Sequence, residues 1–147
     1  MIVKCCTAAE LLEDPGLPDL VHEYKLEGER LPGAEFLPER YYALERAGIL
    51  QTFKAYNTSH EFVGFGIVIC NLVPHYKAPV GVVESVFLRK SARRSGLGLD
   101  LFIAMEDHCK AHAQCMYVTA PAGSVLQRLL PKLGFTLSNL VFLKVFS

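Results

Sequence analysis

The sequence predicts a mixed α/β domain built on a mostly antiparallel central sheet, and three observations carry that prediction. Three β-rich runs follow one another at residues 49–56, 61–72 and 80–88. A basic, glycine-rich turn then leads into residues 97–113, which can form a helix because they contain no proline. The next apolar run, residues 116–120, would lie parallel to the third run through a right-handed helical crossover.

Composition narrows the class of protein. The chain has 147 residues, 51% hydrophobic and 20% charged, as expected of one globular domain. Its 15 basic and 15 acidic side chains cancel, so no overall positive field attracts nucleic acid. Residues 62–70 form the longest apolar run, which is too short to span a bilayer, and the amino terminus lacks a secretory leader pattern. Five cysteines, including the adjacent Cys5 and Cys6, favour reduced thiols. We therefore expect a cytoplasmic protein without nucleic-acid or membrane partners.

The amino-terminal third predicts a short strand and two helices, at residues 1–7, from Pro18 to about residue 28, and from Pro38 to Gly48. Thr7 can cap the segment that follows the strand. The tripeptide Asp-Pro-Gly at residues 14–16 breaks the chain before the first helix. Tyr41 and Tyr42 in the second helix are interpreted as core packing and surface cover.

The middle of the chain predicts a hairpin followed by a surface loop. Residues 57–60, Asn-Thr-Ser-His, form the turn between the first two β-rich runs. Gly64 and Gly66 in the second run predict a bulge or a close backbone approach. Residues 73–79, with prolines at 74 and 79, form the loop before the third run.

The turn after the third run has the chemistry of an anion site. Residues 93–98, Arg-Arg-Ser-Gly-Leu-Gly, bring together free backbone N–H groups, the positive end of a helix dipole and two arginines. The P-loop pattern fails because Leu99 and Asp100 follow the second glycine. The dinucleotide pattern fails because Leu101 stands where a third glycine is needed.

The pattern that fits is R-x-x-G-x-G, from Arg93 to Gly98, with the hydrophobic Leu88 five residues before the arginine. It resembles the acetyl-coenzyme A turn of the GNAT superfamily of N-acetyltransferases. Residues 131–135, Pro-Lys-Leu-Gly-Phe, resemble the K-x-G-F that ends the family's last helix. With the order of elements, the likeness extends from about residue 80 to residue 147.

The resemblance implies the rest of the fold. The last helix would run from near Ser124 to just before Gly134, and residues 140–146 would form a closing strand. The two parallel strands would splay apart, and the pantetheine arm of the coenzyme would fit into the gap between them.

The resemblance also implies how the co-substrate acetyl-CoA is bound. Its pyrophosphate would be held by Arg93 and Arg94 together with the backbone N–H groups of Ser95, Gly96, Leu97 and Gly98. The thioester carbonyl would be polarised by backbone N–H groups at Val86, Phe87 and Leu88.

A carboxylate in the third β-rich run is the candidate general base. Strict alternation places Glu84 on one face of the strand with Val82, Val86 and Leu88. Partial burial among these side chains would raise its pKa and suit it to accept a proton near neutral pH. In the resembled family this strand often supplies such a glutamate. Two structural alternatives stay open, an exposed edge position and a core carboxylate paired with a neighbour.

Two departures from the family concern the proton donor to the leaving thiolate. Leu130 stands where the family commonly has a tyrosine, and Gly123 stands where it usually has an asparagine. The adjacent Ser124 is the candidate substitute. A thiol whose pKa is about 8.5 can also leave as the thiolate without a donor.

Two charged or metal-binding clusters have a functional and a structural interpretation. The resemblance places Glu27, Glu29 and Glu35 at the wall of the acceptor site, where they would receive a cationic amine; otherwise they are solvated loop charges.

The second cluster comprises His108, Cys109, His112 and Cys115. Tetrahedral metal geometry is awkward there, because Cys109 points about 100° away from His108 and Cys115 lies past the helix. No metal is therefore expected.

We conclude from the sequence that the chain resembles an acetyl-CoA-dependent N-acetyltransferase whose small-molecule or peptide amine attacks the thioester directly. One alternative is a non-catalytic acyl-CoA-binding or interaction protein on the same fold. Another is an assembly module that binds no nucleotide. The apolar residues 140–146 allow a homodimer, and the acceptor cannot be named from the sequence.

Overall fold

The computed structural model describes residues 1–28 and 35–146. The helices and strands in chain order are β1 (Ile2–Cys6), α1 (Ala8–Leu12), α2 (Leu17–Gly28), α3 (Pro38–Arg46), β2 (Leu50–Tyr56), β3 (Phe62–Asn71), β4 (Val80–Leu88), α4 (Leu97–His112), β5 (Met116–Tyr117) and α5 (Val125–Leu129). Short 3₁₀ turns occupy Lys90–Ala92 and Leu130–Leu133.

The five strands form one sheet in the order β1-β2-β3-β4-β5. Every neighbouring pair is antiparallel except β4 and β5, which run parallel because α4 connects them. The predicted mixed α/β class, with a mostly antiparallel sheet and one parallel pair, is confirmed. The turn between Asn57 and Glu61 joins β2 and β3 as predicted, with Asn57 N donating to Glu61 O at 3.1 Å.

Two clusters of buried side chains lie on opposite faces of the sheet. On the first, which we call the α2–α3 face, Leu20 and Tyr41 pack with Phe65, Ile67 and Phe87. On the second, the α4 face, the buried members are Phe53, Val68, Cys70, Val83, Leu101, Phe102, Met105 and Cys109. Burial of each large apolar side chain contributes about 1.5–3 kcal/mol relative to its exposure. The sheet is thus held between helices on both sides.

Gly66 lets α4 lie close to the sheet. A Cβ at Gly66 would come within 2.7 Å of Met105 Sδ, nearer than side chains tolerate. The predicted close backbone approach is found at Gly64, where a Cβ would lie 2.7 Å from Phe87 O, whereas the neighbour of Gly66 is a side chain of α4.

Helix α1 is absent from the predicted elements because five residues are too few for a periodic apolar pattern. Its sequence signal is the capping box that begins at Thr7. Glu10 N donates to Thr7 Oγ1 at 3.1 Å, and Thr7 N donates to Glu10 Oε2 at 2.7 Å.

The predicted closing strand at residues 140–146 is wrong. The chain there forms no strand, and Val141 and Phe142 are 78% and 89% exposed. A strand needs a partner, and β5 is shorter than the predicted 116–120, so it offers too short an edge. The preceding helix also ends early as an α-helix, because Pro131 has no N–H to continue the hydrogen-bond ladder.

Candidate active site

Strand β4 and helix α4 are joined by a turn whose backbone is built for close approach. Arg94 and Gly96 have φ angles of 71° and 91°. Glycine adopts this left-handed region freely, whereas for Arg94 it costs on the order of 1–3 kcal/mol. Such strain is commonly found at ligand-binding turns. Helix α4 then begins at Leu97, with Gly96 as its N-cap.

The turn presents unpaired N–H groups at the start of a 16-residue helix. The backbone N–H groups of Arg94, Ser95 and Gly96 donate to no acceptor within residues 1–28 and 35–146. Leu97 N makes only a long contact of 3.4 Å with Ser95 Oγ, whose own proton goes to Ala92 O at 2.6 Å. The first-turn N–H groups of a helix have no acceptor within the helix. An anion would therefore meet several donors and the positive end of the helix dipole.

The two arginines of the turn have different surroundings. Arg93 Nε donates to Leu88 O at 2.8 Å, and its Nη2 lies 2.9 and 2.7 Å from the two carboxylate oxygens of Glu27. Its guanidinium carbon lies 5.5 Å from the centre of the Phe87 ring. Arg94 is exposed and forms no ion pair in the described part of the chain. Arg94 is thus available to an anion, whereas Arg93 already has one in Glu27.

A gap opens between β4 and β5 next to this turn. The two strands pair only at Gly81 with Met116 and at Val82 with Tyr117. Beyond Val82, β4 has β3 on one side and no strand on the other within the described residues. Val86, Phe87 and Leu88 pair with β3 on one edge and border the gap on the other, where a peptide-like ligand can bond to the backbone groups that face it.

A β-bulge in β4 changes the orientation that alternation predicts for Glu84. Ile67 pairs with Ser85 and Val68 pairs with Val83, so Glu84 is the extra residue without a partner. Val83 packs in the α4-face cluster, whereas Glu84 accepts a hydrogen bond of 2.8 Å from Tyr41 on the α2–α3 face. The predicted grouping of Glu84 with Val86 is therefore wrong.

The expected partial burial of Glu84 is also wrong, because the residue is exposed in the structure. Its side chain lies at the bulge, two residues beyond the last pair between β4 and β5. The carboxylate is thus open to solvent and to a ligand in the gap.

Tyr41 belongs to this site, although sequence reasoning assigned it to packing alone. Its ring is in the core, with 9% of the residue exposed, and its hydroxyl donates to Glu84 Oε1. Burial, followed by the charge of Glu84 and this hydrogen bond, raises the pKa of Tyr41 far above its usual value. The phenol therefore stays protonated and remains a donor. The only available signal was its inward position on the predicted helix, which does not identify a partner 43 residues away.

Ser124 is the N-cap of α5, and its Oγ accepts from Gln127 N at 3.1 Å. No hydrogen bond links it to Glu84 or Tyr41 within residues 1–28 and 35–146, so its role as proton donor stays a prediction. Leu130 packs against the α4-face cluster and offers no proton.

Of the three predicted acceptor-wall glutamates, Glu27 pairs with Arg93, Glu35 is exposed, and Glu29 lies outside the described residues.

The histidines and cysteines near the end of α4 are not grouped for metal binding in the described structure. Groups of three or more ligating side chains in metal-binding geometry are absent from the described ranges. The rings of His108 and His112 stack at 4.2 Å between centroids, and His112 Nδ1 lies 2.8 Å from His108 O. Burial and the neighbouring His112 lower the pKa of His108. Cys109 faces Cys70 with 3.9 Å between sulfurs, and burial raises the pKa of its thiol to about 12.

The sequence model described as acetyltransferase (GNAT) family matches residues 17–135, well over half of the chain. The chain belongs to the GNAT acetyltransferase family. No curated protein is similar enough in sequence to count as a match. Among the helices of residues 1–28 and 35–146, none has the length and apolar character needed to cross a membrane.

Solved structures share the fold at low sequence identity. A ribosomal-protein-alanine N-acetyltransferase from Brucella melitensis biovar Abortus 2308 is 16% identical, with 100% of both chains covered and a TM-score of 0.69. An aminoglycoside acetyltransferase from an uncultured soil metagenomic sample, in complex with sisomicin, is 13% identical, with 99% of this chain and 96% of that chain covered and a TM-score of 0.73. An aminoglycoside N-acetyltransferase in complex with CoA is 17% identical, with 99% of this chain and 100% of that chain covered and a TM-score of 0.69.

Proposed function

We propose that this protein is an N-acetyltransferase that moves the acetyl group of acetyl-CoA to an amine by direct attack. The observation that carries the proposal is the placement of three features along one strand. The exposed carboxylate of Glu84 lies at the bulge. The outer edge of β4 from Val86 to Leu88, which no strand pairs within the described residues, follows it, and the anion-binding turn follows that. In acetyl-CoA the thioester and the pyrophosphate are separated by the pantetheine arm. The thioester would lie near Glu84, the arm beside β4 and the pyrophosphate at the turn.

The coenzyme would be held mainly by the backbone. Its pyrophosphate would accept from the N–H groups of Arg94, Ser95, Gly96 and Gly98, with the Arg94 guanidinium as a mobile counter-charge. Its pantetheine arm would lie in the gap beside β4. The CoA complex of a protein with the same fold supports this assignment.

The reaction needs a stabilised oxyanion and acceptors for two protons, one that the ammonium group loses before attack and one that the nitrogen loses to solvent after attack. An N–H group near Val86 to Leu88 would donate to the thioester oxygen as negative charge develops there. Glu84 would take the proton that the ammonium group must lose, and Tyr41 would hold the Glu84 carboxylate in place. The thiol of CoA, whose ordinary pKa is about 8.5, can leave as the thiolate, so Leu130 does not prevent the reaction.

The acceptor would be a primary amine on a small molecule or a peptide. Proteins of the same fold are described as acting on ribosomal-protein alanine and on aminoglycosides, which have in common only the amine. The five cysteines are free thiols, which supports a reducing compartment such as the cytoplasm.

The proposal is tested by measuring the release of free CoA thiol from acetyl-CoA in the presence of candidate acceptors. These acceptors are small amines, aminoglycosides, polyamines and peptides. Acceptor-dependent release that disappears in Glu84→Gln supports it. Tight coenzyme binding with no release on any amine would favour the non-catalytic alternative, for which Leu130 in place of an acid is the supporting observation. Absence of coenzyme binding would refute both.

A homodimer is also part of the proposal. Residues 137–146 expose a run of large apolar side chains, and patches of this kind mark interfaces. Light scattering on the purified protein should give the mass of two chains, and a monomeric mass at all concentrations would exclude the dimer.

A further inference from the structure

Two parallel ion pairs connect α2 to the segment between β4 and α4. Glu23 Oε1 lies 2.9 Å from Arg89 Nε, and Glu27 Oε2 lies 2.7 Å from Arg93 Nη2. The two glutamates are four residues apart on one helix face, and the two arginines are four residues apart along the segment. Helix α2 is therefore tied by charge to the turn that would hold the coenzyme.

The two pairs differ in geometry. Arg93 Nη2 donates to both oxygens of Glu27, and Arg93 Nε is fixed by Leu88 O. In the other pair, Arg89 Nε is close to Glu23 but is not aligned for a hydrogen bond, although the atom is buried. Only the Glu27 pair therefore holds an arginine of the anion-binding turn in a defined orientation.

The Glu27–Arg93 pair is easily opened. The side chains are 43% and 35% exposed, and water screens an ion pair at such a position, so it adds little to stability. Arg93 directly precedes Arg94 and the unpaired N–H groups of the turn. A pyrophosphate bound there would bring two negative charges close to the Arg93 guanidinium, against the single charge of Glu27.

We propose that Glu27 competes with the pyrophosphate of acetyl-CoA for Arg93, and that coenzyme binding releases the Glu27 carboxylate. This inference rests on the proposed function, because it requires the coenzyme at the turn. Tyr24, on the same helix as Glu27, packs against Phe65 and Phe87 on the α2–α3 face. The freed carboxylate thus belongs to the side of the sheet on which Tyr41 bonds to Glu84, where a protonated amine would arrive. Glu27 would in this way make the acceptor side more negative only after the coenzyme is in place.

The test is the affinity for coenzyme A, measured by calorimetry on the full chain. Glu27→Gln should bind coenzyme A on the order of two- to fivefold more tightly than the wild type, since a weak competing pair has been removed. Glu23→Gln is the matched control: it removes an ion pair of similar exposure on the same helix and should leave the affinity unchanged. A purely structural role of Glu27 predicts the opposite sign, because a displaced α2 would weaken binding.

A second variant ties the effect to Arg93. In an Arg93→Gln background, Glu27→Gln should no longer change the affinity for coenzyme A, because the guanidinium group for which Glu27 and the pyrophosphate compete is gone. Thermal melting of each variant checks that the fold is kept. Unchanged or weaker binding by Glu27→Gln, or a gain that persists without Arg93, overturns the inference while leaving the proposed function intact. A wild type that binds no coenzyme A would instead refute the proposed function itself.

Discussion

The Tyr41 hydroxyl donates a hydrogen bond of 2.8 Å to Glu84 Oε1, which joins α3 to the bulge residue of β4 across 43 residues of sequence. One end of this contact is buried and the other is exposed. A buried donor with a fixed ring can hold an exposed carboxylate in one orientation and still leave its second oxygen free. The first two predictions test the two halves of this pair.

Glu84→Gln should lower the rate at pH 7 by roughly 10²- to 10⁴-fold, the usual contribution of a positioned base. Affinity for acetyl-CoA should stay within a few-fold, because the pyrophosphate is held elsewhere. The loss should shrink as the pH rises, since more of the amine is then already deprotonated. Steady-state rates across pH 6 to 9 measure this, and a wild-type rate throughout that range would remove Glu84 from the mechanism.

Tyr41→Phe removes only the hydroxyl and keeps the ring, whose centroid lies 5.5 Å from the centroid of the Phe36 ring. Loss of a hydrogen bond worth about 1–2 kcal/mol should lower kcat roughly five- to thirtyfold, with coenzyme affinity unchanged. The control is Tyr42→Phe, which removes an exposed hydrogen bond of 3.1 Å to Glu13 on the neighbouring position of α3. Equal effects of the two substitutions on kcat would mean that Tyr41 does not position Glu84.

Gly98→Asp should abolish acetyl-CoA binding and leave the fold intact. The nearest atom to a Cβ at this position is Leu88 Cδ2 at 3.7 Å, an ordinary contact, so the substitution introduces charge without a clash. Gly98→Ala adds the Cβ alone and should bind nearly as well as the wild type. Calorimetry compares the three proteins, and unchanged affinity in Gly98→Asp would contradict the coenzyme assignment.

Amines with a low pKa should be the better acceptors at neutral pH. Deprotonating a lysine-like amine of pKa about 10.4 at pH 7 costs roughly 4–5 kcal/mol, whereas an α-amine near 7.7 costs only about 1 kcal/mol. Leu130 cannot donate a proton to the leaving thiolate. Nothing at that position therefore offsets the small fraction of a lysine-like amine that is deprotonated at pH 7. Matched peptides that offer one amine or the other give the comparison, and faster turnover of the lysine-type amine would count against this view.

The partly buried ion pair between Lys54 and Asp14 should make the fold sensitive to acid. Burial alone would raise the pKa of Asp14, but hydrogen bonds from Lys54 and from Gly16 N outweigh it and hold the pKa below its usual 3.8. The stabilisation is therefore complete above about pH 5 and is lost as the pH falls through the lowered pKa. Asp14→Asn should lower the free energy of unfolding at pH 7 by about 1.5–3 kcal/mol and flatten its dependence on pH below 4. Urea melts at several pH values measure both effects, and a variant as acid-sensitive as the wild type would disprove the assignment.

The sequence predicted those strands and turns whose structure depends mainly on residues close together in the chain. The strands β2, β3 and β4 are β-rich runs bounded by turn residues, and the anion-binding turn is a contiguous motif with fixed glycines. The orientation of Glu84 was missed because alternation assumes a regular ladder, and a bulge is defined by pairing with another strand. The Arg93–Glu27 pair was missed for a similar reason, since an arginine in the motif does not reveal a glutamate 66 residues away. The strand expected at residues 140–146 failed because apolar composition does not create a pairing edge.

The bulge makes the orientation of the Glu84 carboxylate depend on whether the number of residues between neighbouring strand pairs is odd or even. Deleting Val83 would restore a regular ladder, place Glu84 opposite Val68 and turn its carboxylate toward α4, because side chains alternate with a period of two. The turn at residues 93–98 would be unaffected. If Glu84 is the proton acceptor, as proposed, a chain that lacks the extra residue between the partners of Ile67 and Val68 would keep the turn for the coenzyme and lose the base.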